Sequence, residues 1–183
     1  DNKTILYTGD IRFHGRCKGK NKRLIKNIGK IDYLIMEGTT LSRTNQKKVF
    51  EDNLIEHFEA EFKKNKLPLV QVSVQNIDRF VTIYKACLKT KKTFVIDPYS
   101  CYILELYGKN SEKIPQFDWN NIRVYRANNS ITRNLDANGL LDKYMTKEIS
   151  MDEIQKYPQK FVIKGNFVIN NLCLNKFKKE ELN

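Results

Sequence analysis

The chain has 183 residues, and its 40% hydrophobic and 11% aromatic content is enough for a core, which excludes a wholly disordered polypeptide. No stretch reaches the roughly 18 apolar residues of a membrane span and no signal-peptide pattern is found, so we expect a soluble, cytoplasmic protein with no membrane contact. The 33 Lys and Arg against 21 Asp and Glu give a net charge of +12, which favours a polyanionic partner such as nucleic acid. Basic residues scattered over solvated faces explain this excess equally well.

The four cysteines show neither metal-binding nor disulfide-framework spacing. Three of them, Cys87, Cys101 and Cys173, lie inside apolar runs, which predicts buried free thiols in a reducing compartment. Only two histidines are present, which is too few for an independent histidine-rich metal site.

Two apolar runs near the start of the chain each end in a carboxylate. Residues 5–8 stop at Gly9-Asp10, and residues 33–36 stop at Glu37. We predict that both runs are buried strands that deliver Asp10 and Glu37 to their C-terminal ends. Loops that leave strand ends form the crevices in which α/β folds build their sites.

Helix and strand patterns alternate along the rest of the chain. Apolar residues at helical spacing predict helices over residues 23–28, 50–65, 76–88, 99–107, 140–145 and 151–157. Short alternating or β-branched runs predict strands over residues 69–74, 93–96, 122–125, 161–163 and 167–169. The other predicted segments are a basic glycine-containing loop over 14–20, a polar mobile connection over 128–138 and an exposed helical tail over 176–183. This alternation predicts an α/β fold with a mostly parallel sheet flanked by helices.

Asp10 has two explanations on residue grounds alone. A carboxylate just past a buried strand can bridge two metal ions that activate a water molecule. Gly-Asp is also a common turn pair, so a turn or capping role explains the residue as well. The spacing does not decide between the two.

Several motifs, taken in order, resemble a known family. Thr8-Gly9-Asp10 is followed by Arg12-Phe13-His14-Gly15 and then by Met36-Glu37-Gly38-Thr39-Thr40. Residues 72–79 then run Val-Ser-Val-Gln-Asn-Ile-Asp-Arg, and residues 94–99 run Phe-Val-Ile-Asp-Pro-Tyr. Over residues 3–126 this order resembles the metallo-β-lactamase fold in its β-CASP branch, which includes ribonuclease J and the cleavage-and-polyadenylation endonuclease.

The resemblance implies a metal-dependent hydrolase that cleaves phosphodiester bonds, above all in RNA, through a zinc-activated hydroxide. In that family the Gly-Asp carboxylate bridges two zinc ions, which assigns Asp10 as a metal ligand and a catalytic residue. The acidic residue that ends the next strand assigns Glu37 as catalytic too, orienting ligands or substrate groups. The fold would be the end of a metallo-β-lactamase domain, residues 1–43, leading into an incomplete β-CASP-like domain, residues 44–183.

The family's His-x-His-x-Asp-His cluster and its later histidines have no counterpart in this sequence. We therefore expect the chain to be a fragment of a longer parent enzyme, in keeping with its start at Asp1 rather than at Met. On this expectation the parent binds two zinc ions, while the fragment alone holds no zinc pair and is inactive.

Five basic residues are candidates for nucleic-acid binding. Arg79 lies in the first turn of a helix directly after a strand, where backbone N–H groups also favour phosphate. A salt bridge of Arg79 with Asp78 or Asp97 is the alternative. The basic loop beside Asp10 supplies four more candidates for phosphate contacts, Arg12, Arg16, Lys18 and Lys20. A solvated loop explains those four equally well.

Two other functions stay open on sequence grounds. One is a non-catalytic nucleic-acid-binding module, and the other is hydrolysis of a different ester on the same fold. The sequence does not distinguish RNA from DNA or endonucleolytic from exonucleolytic cleavage, and it leaves homo-oligomerisation open. The aromatic residues Tyr99, Tyr102, Tyr107 and Trp119 are assigned to the core rather than to base stacking.

Overall fold

The structure is a computed structural model that describes residues 2–10, 15–16, 18–38, 49–165, 173 and 177. The chain forms two compact units, which divide between Leu54 and Ile55. The predicted boundary after residue 43 and the predicted strand over 167–169 lie outside the described residues. All pairings between the described strands are parallel and helices flank them, which confirms the predicted α/β class. In the part of the chain described, no helix is both long enough and apolar enough to cross a membrane.

The first unit contains a two-stranded parallel sheet and one helix. Strand β1 (Ile5–Tyr7) pairs with strand β2 (Tyr33–Ile35), and helix α1 (Lys18–Asn27) lies between them in the chain. The predicted loop over 14–20 is wrong for its last three residues, because α1 already begins at Lys18. Gly19 lies in the first turn, and its cost to the helix of roughly 1 kcal/mol is tolerated there.

Both strands of the first unit are exposed, so the prediction of buried strands is wrong. Ile5 is 61% exposed, Tyr7 72% and Leu34 55%, and the apolar side chains of α1 are also more than half exposed. The helix therefore does not cover the sheet. A parallel sheet is usually covered on both faces, and two strands without such a cover are marginally stable.

The second unit is built on a four-stranded parallel sheet with the strand order β3-β6-β4-β5. Its strands are β3 (Leu69–Gln71), β4 (Thr93–Ile96), β5 (Ile122–Val124) and β6 (Phe161–Gly165). Its helices are α2 (Asn53–Lys64), α3 (Ile77–Lys89), α4 (Pro98–Gly108), α5 (Ser130–Ala137), α6 (Leu141–Met145), α7 (Met151–Lys156) and a short 3-10 helix (Pro158–Lys160). The last strand in the sequence, β6, is thus inserted into the interior of the sheet.

Side chains of this sheet alternate between two core clusters. Phe94 and Ile96 of β4 and Val162 of β6 belong to the first cluster, together with residues from α2, α3, α4 and α6. Val95 and Ile163 point to the opposite face and belong to the second cluster, which contains α7. The second cluster also holds Cys173 and Phe177, so the predicted exposed tail is wrong at Phe177, which is 5% exposed. The predicted buried thiols are confirmed for Cys87, Cys101 and Cys173.

Residues 128–138 are not an irregular connection, because α5 occupies most of them. The side-chain oxygen of Asn129 accepts a hydrogen bond from the Thr132 backbone N–H at 2.8 Å and so caps the helix. Thr132 and Leu135 are buried on its inner side. The sequence did not predict this helix, because only two of its side chains are buried and the rest of the segment is polar.

The predicted strand over residues 69–74 ends early, at Gln71. The Asn76 backbone N–H donates to the Ser73 carbonyl at 3.0 Å, so the chain turns before it enters α3. Ser150 caps α7, since the Glu153 backbone N–H donates to the Ser150 hydroxyl at 3.1 Å.

Phe94→Ala tests the position of the core. Phe94 is fully buried and its ring centroid lies 5.1 Å from that of Phe80, so truncation leaves a cavity between the sheet and α3. We expect a loss of about 3–5 kcal/mol in the free energy of unfolding, measured by urea denaturation. Leu106→Ala, at a side chain 40% exposed on α4, should cost less than about 1 kcal/mol. Equal losses in the two variants would contradict the assigned core.

Candidate functional site

The two predicted carboxylates follow neighbouring parallel strands. Asp10 comes three residues after β1 and Glu37 two residues after β2, and the pairing of Tyr7 with Ile35 sets the two strand ends side by side. The Thr8 backbone N–H donates to the Ile35 carbonyl at 3.0 Å, which extends the pairing by one residue. The structure therefore brings the segments that carry Asp10 and Glu37 to the same edge of one sheet.

The described residues do not complete a zinc site at this edge. Asp10 is exposed and Glu37 is half-buried. Zinc takes three or four protein ligands, whereas no group of three His, Cys, Asp or Glu side chains that could hold a metal occurs among the residues described. Asp10 and Glu37 therefore supply at most the acidic part of the two-zinc centre that the resemblance implies, and the other ligands must come from outside the described residues.

The four loop candidates for phosphate contacts have different surroundings. Arg16 is paired with Asp52 at 2.5 Å, and its side chain is only 16% exposed. Lys20 is exposed on α1. Lys18 begins α1 and only its backbone is described, while Arg12 lies outside the described residues. Of these candidates, Arg16 is held by a carboxylate and Lys20 is open to a ligand.

Arg79 lies in the first turn of α3, after the carboxyl end of β3. Its backbone N–H donates to the Asn76 side-chain oxygen at 3.2 Å, so the cap of α3 already uses this amide. The Arg79 side chain is half-buried. Any phosphate bound here would therefore be recognised by the guanidinium group rather than by the Arg79 amide.

A buried ion pair at the carboxyl edge of the second sheet was not predicted. The Lys164 Nζ of β6 lies 2.6 Å from Asp97 Oδ2, and the two side chains are 8% and 7% exposed. The other Asp97 oxygen accepts from the Ser100 backbone N–H at 2.8 Å and from the Ser100 hydroxyl at 3.0 Å. Asp97 thus caps α4 and holds β6, and both of its oxygens are occupied.

The sequence contains indications of both members of this ion pair, although not of their pairing. Asp97 directly before Pro98 has the pattern of an N-cap followed by proline at the first helical position. Lys164 follows three apolar residues in a strand that is buried throughout, and a charge at such a position calls for a partner. The identity of that partner could not be inferred, because 67 residues separate the two in the chain.

Most aromatic candidates for base stacking pack on the core. Tyr99, Tyr102 and Trp119 pack against the first core cluster, and the Trp119 ring centroid lies 5.5 Å from that of Tyr84. Tyr107 differs, because it is 44% exposed. The preference for core roles therefore agrees with the structure at three of the four positions.

Comparison with known proteins returns no relative: no protein-family model, no curated protein and no solved structure matches the chain. The resemblance to the β-CASP branch therefore depends on the motifs alone. The chemistry of the chain has to be argued from its side chains and their placement.

A double-mutant cycle tests the Asp97–Lys164 pair. Asp97→Asn keeps a capping oxygen for α4 but removes the charge, and Lys164→Met removes the ammonium group. Each single substitution leaves one buried charge without its partner, so we expect each to cost about 3 kcal/mol in the free energy of unfolding. The double variant should cost less than the two losses together. Additive losses in urea denaturation would show that the two groups do not interact.

Proposed function

We propose that the chain is part of a metal-dependent hydrolase that cleaves phosphodiester bonds in RNA, with Asp10 and Glu37 as its acidic residues. The observation that carries this proposal is the parallel pairing of β1 with β2, which sets both acidic segments at one sheet edge. Carboxylates grouped in this way attract divalent cations, which activate water and neutralise phosphate charge when bound. Two zinc ions are the proposed cofactor, with their remaining ligands outside the described residues.

The exposure of the first sheet supports the proposal that the first unit is covered by another part of a parent enzyme. Tyr33, Leu34, Ile35 and Met36 are all more than half exposed, although their sequence is that of a buried strand. Burial of an apolar side chain of this size contributes about 1.5–3 kcal/mol. A covering layer supplied by a parent enzyme would stabilise β2 and fix the position of Glu37.

Charge supports RNA as the substrate class. The net charge of +12 gives a long-range attraction for a polyanion, and Arg79 and Lys20 provide cationic groups at defined positions. Arg79 follows a strand that ends at the carboxyl edge of the second sheet, where ligands of open α/β sheets bind. We therefore propose Arg79 as a phosphate contact of the bound RNA.

A non-catalytic nucleic-acid-binding module is the second candidate function. It is favoured by the lack of a third metal ligand grouped with Asp10 and Glu37 among the described residues. The two candidates differ in what the carboxylates do. In a hydrolase they hold cations and so draw phosphate in, whereas in a module without metal they repel it.

The double variant Asp10→Asn/Glu37→Gln separates these two functions. Without metal, loss of two negative charges near the RNA should raise its affinity about threefold at low salt, because like-charge repulsion is removed. In millimolar Mn²⁺ the unmodified chain should bind RNA more tightly than in EDTA, and the double variant should lose that response. Fluorescence anisotropy with a labelled single-stranded RNA measures both effects.

The matched control is Glu112→Gln/Asp118→Asn, which removes the same charge from exposed positions in the second unit. This control should keep the full response to Mn²⁺. A response to Mn²⁺ that survives in Asp10→Asn/Glu37→Gln would rule out these carboxylates as cation ligands. An unmodified chain with no response at all would favour the non-catalytic module.

Arg79→Ala tests the proposed phosphate contact. Loss of one contact with single-stranded nucleic acid should lower the slope of log K against log salt by about 0.7 and weaken binding several-fold. Lys85→Ala removes an exposed cation six residues further along α3, serves as the control and should leave the slope unchanged. Identical slopes for Arg79→Ala and the unmodified chain would remove Arg79 from the interface.

A further inference from the structure

A lysine-lined pocket of about 460 Å³ lies at the amino edge of the second sheet. Three segments form it: the end of α2 with the following loop, the turn between α3 and β4, and the 3-10 helix. These segments lead into β3, β4 and β6, which places the pocket at the edge opposite Asp97 and Arg79. Its lining includes Lys63, Lys64, Lys66 and Lys92, and none of the described residues that line it is acidic.

Lys92 carries a buried positive charge, and the two groups that accept hydrogen bonds from its ammonium are both neutral. The residue is 7% exposed. Its Nζ donates to the backbone carbonyls of Asn65 and Lys66, at 3.1 Å each. An ammonium group has three donors, so one remains for a further acceptor. Burial lowers the pKa of Lys92, because removal from water disfavours the charged ammonium. An anion in the pocket would compensate the positive charge.

Two other lysines of the pocket, Lys63 and Lys64, can exchange their partners. Lys63 is paired with Glu59 at 2.7 Å and Lys64 with Glu61 at 2.9 Å, and both lysine side chains are more than 60% exposed. Exposed pairs of this kind contribute less than about 1 kcal/mol. A phosphate group can therefore replace a glutamate as partner at little cost.

The local charge balance also favours an anion. The carboxyl-terminal ends of α2 and α3 repel an anion, because each helix dipole places roughly half a negative charge there. Against them, the three segments carry many more lysines than acidic residues. The lysines are Lys63, Lys64, Lys66, Lys89, Lys91, Lys92 and Lys160, and the acidic residues are Glu59 and Glu61. Neutralisation of the helix ends needs only part of this positive charge.

An exposed aromatic ring lies next to the pocket in the chain. Tyr157 is 37% exposed, and it precedes the pocket residue Gln159 by two positions. The Nζ atoms of Lys160 and Lys156 lie 4.5 Å and 5.2 Å from the centroid of the Tyr157 ring. Lysines combined with an exposed ring are the composition of sites that bind single-stranded nucleic acid, where bases stack and cations contact phosphates.

We propose that the pocket at the amino edge binds a backbone phosphate of single-stranded RNA, with Tyr157 contacting an adjacent base. The ligand class depends on the proposed function, but the residues are distinct from Asp10, Glu37 and Arg79. The surface would extend the RNA contact of the second unit to the sheet edge opposite Arg79.

The test is RNA binding by the 183-residue chain carrying Lys64→Gln/Lys66→Gln. Both lysines are exposed, so the fold should be unaffected, which a thermal melt checks. Loss of two phosphate contacts should lower the salt slope by about 1.4 and weaken binding about tenfold near 0.1 M salt. Lys85→Gln/Lys143→Gln is the matched control, since it removes two exposed lysines away from the pocket and Lys143, like Lys64, is paired with a glutamate. We expect the control to keep most of the slope.

Tyr157→Ala and a titration with inorganic phosphate distinguish an RNA site from a site for free phosphate. The proposal expects Tyr157→Ala to weaken RNA binding several-fold and to leave the phosphate-induced NMR shifts of Thr90 and Gln159 unchanged. Phosphate-induced shifts without any loss of RNA affinity in Lys64→Gln/Lys66→Gln would assign the pocket to a free phosphate and overturn the proposal. Unchanged RNA binding and no shifts would mean that the lysines only neutralise the helix ends. If Arg79→Ala weakens RNA binding while Lys64→Gln/Lys66→Gln does not, only the proposal for the pocket is overturned. If the unmodified chain binds no RNA, the proposed function is overturned too.

Discussion

The second unit depends on the buried pair between Asp97 and Lys164. Strand β6 is the last to enter the sheet, yet it lies between β3 and β4, so its register has to be fixed against both neighbours. In the observed register Val70 pairs with Lys164 and Val95 with Ile163, which puts Lys164 on the face of the first core cluster. A slip by one residue would turn the Lys164 side chain to the apolar opposite face and leave Asp97 without its partner. The cost of an unpaired buried charge therefore selects one register.

The same arrangement gives the two edges of the second sheet different electrostatics. At the carboxyl edge, α3, α4 and α5 present amino-terminal ends, which are capped by Asn76, Asp97 and Asn129. Helix dipoles favour anions at that edge, so one cation such as Arg79 is enough for a phosphate contact. At the amino edge the dipoles of α2 and α3 act against an anion. A phosphate site there needs an excess of lysines, and the structure has that excess.

The sequence predicted features that depend on local signals. The α/β alternation and the helices predicted over 140–145 and 151–157 follow from residues within a few positions of each other, and the structure agrees with them. The neighbouring placement of the Asp10 and Glu37 segments was also accessible, because both follow short strands separated by a helix, a pattern that favours parallel pairing. Whether Asp10 and Glu37 bind metal stays a prediction.

Features that depend on the topology could not be predicted in this way. Lys92 follows the end of α3 in the chain, but its Nζ binds carbonyls beyond the end of α2, 26 and 27 residues away. The pairing of Asp97 with Lys164 required knowledge of where β6 enters the sheet. Burial of β1 and β2 was wrong for a related reason. An apolar sequence shows that a strand can be covered, whereas exposure depends on which layers are present.

The exposed first sheet links the stability of the first unit to its chemistry. The four most apolar side chains of β1 and β2 are already about half out of water, so cover for the remainder would contribute on the order of 3–7 kcal/mol. That amount is a large part of the stability of a whole domain. A layer that provided this cover would also limit how far the two strand ends move. Carboxylates bind a pair of cations tightly only when their oxygens are held within a few tenths of an ångström. On the proposed function, cover over β1 and β2 would therefore turn weak cation binding at the Asp10 and Glu37 edge into a tight metal site.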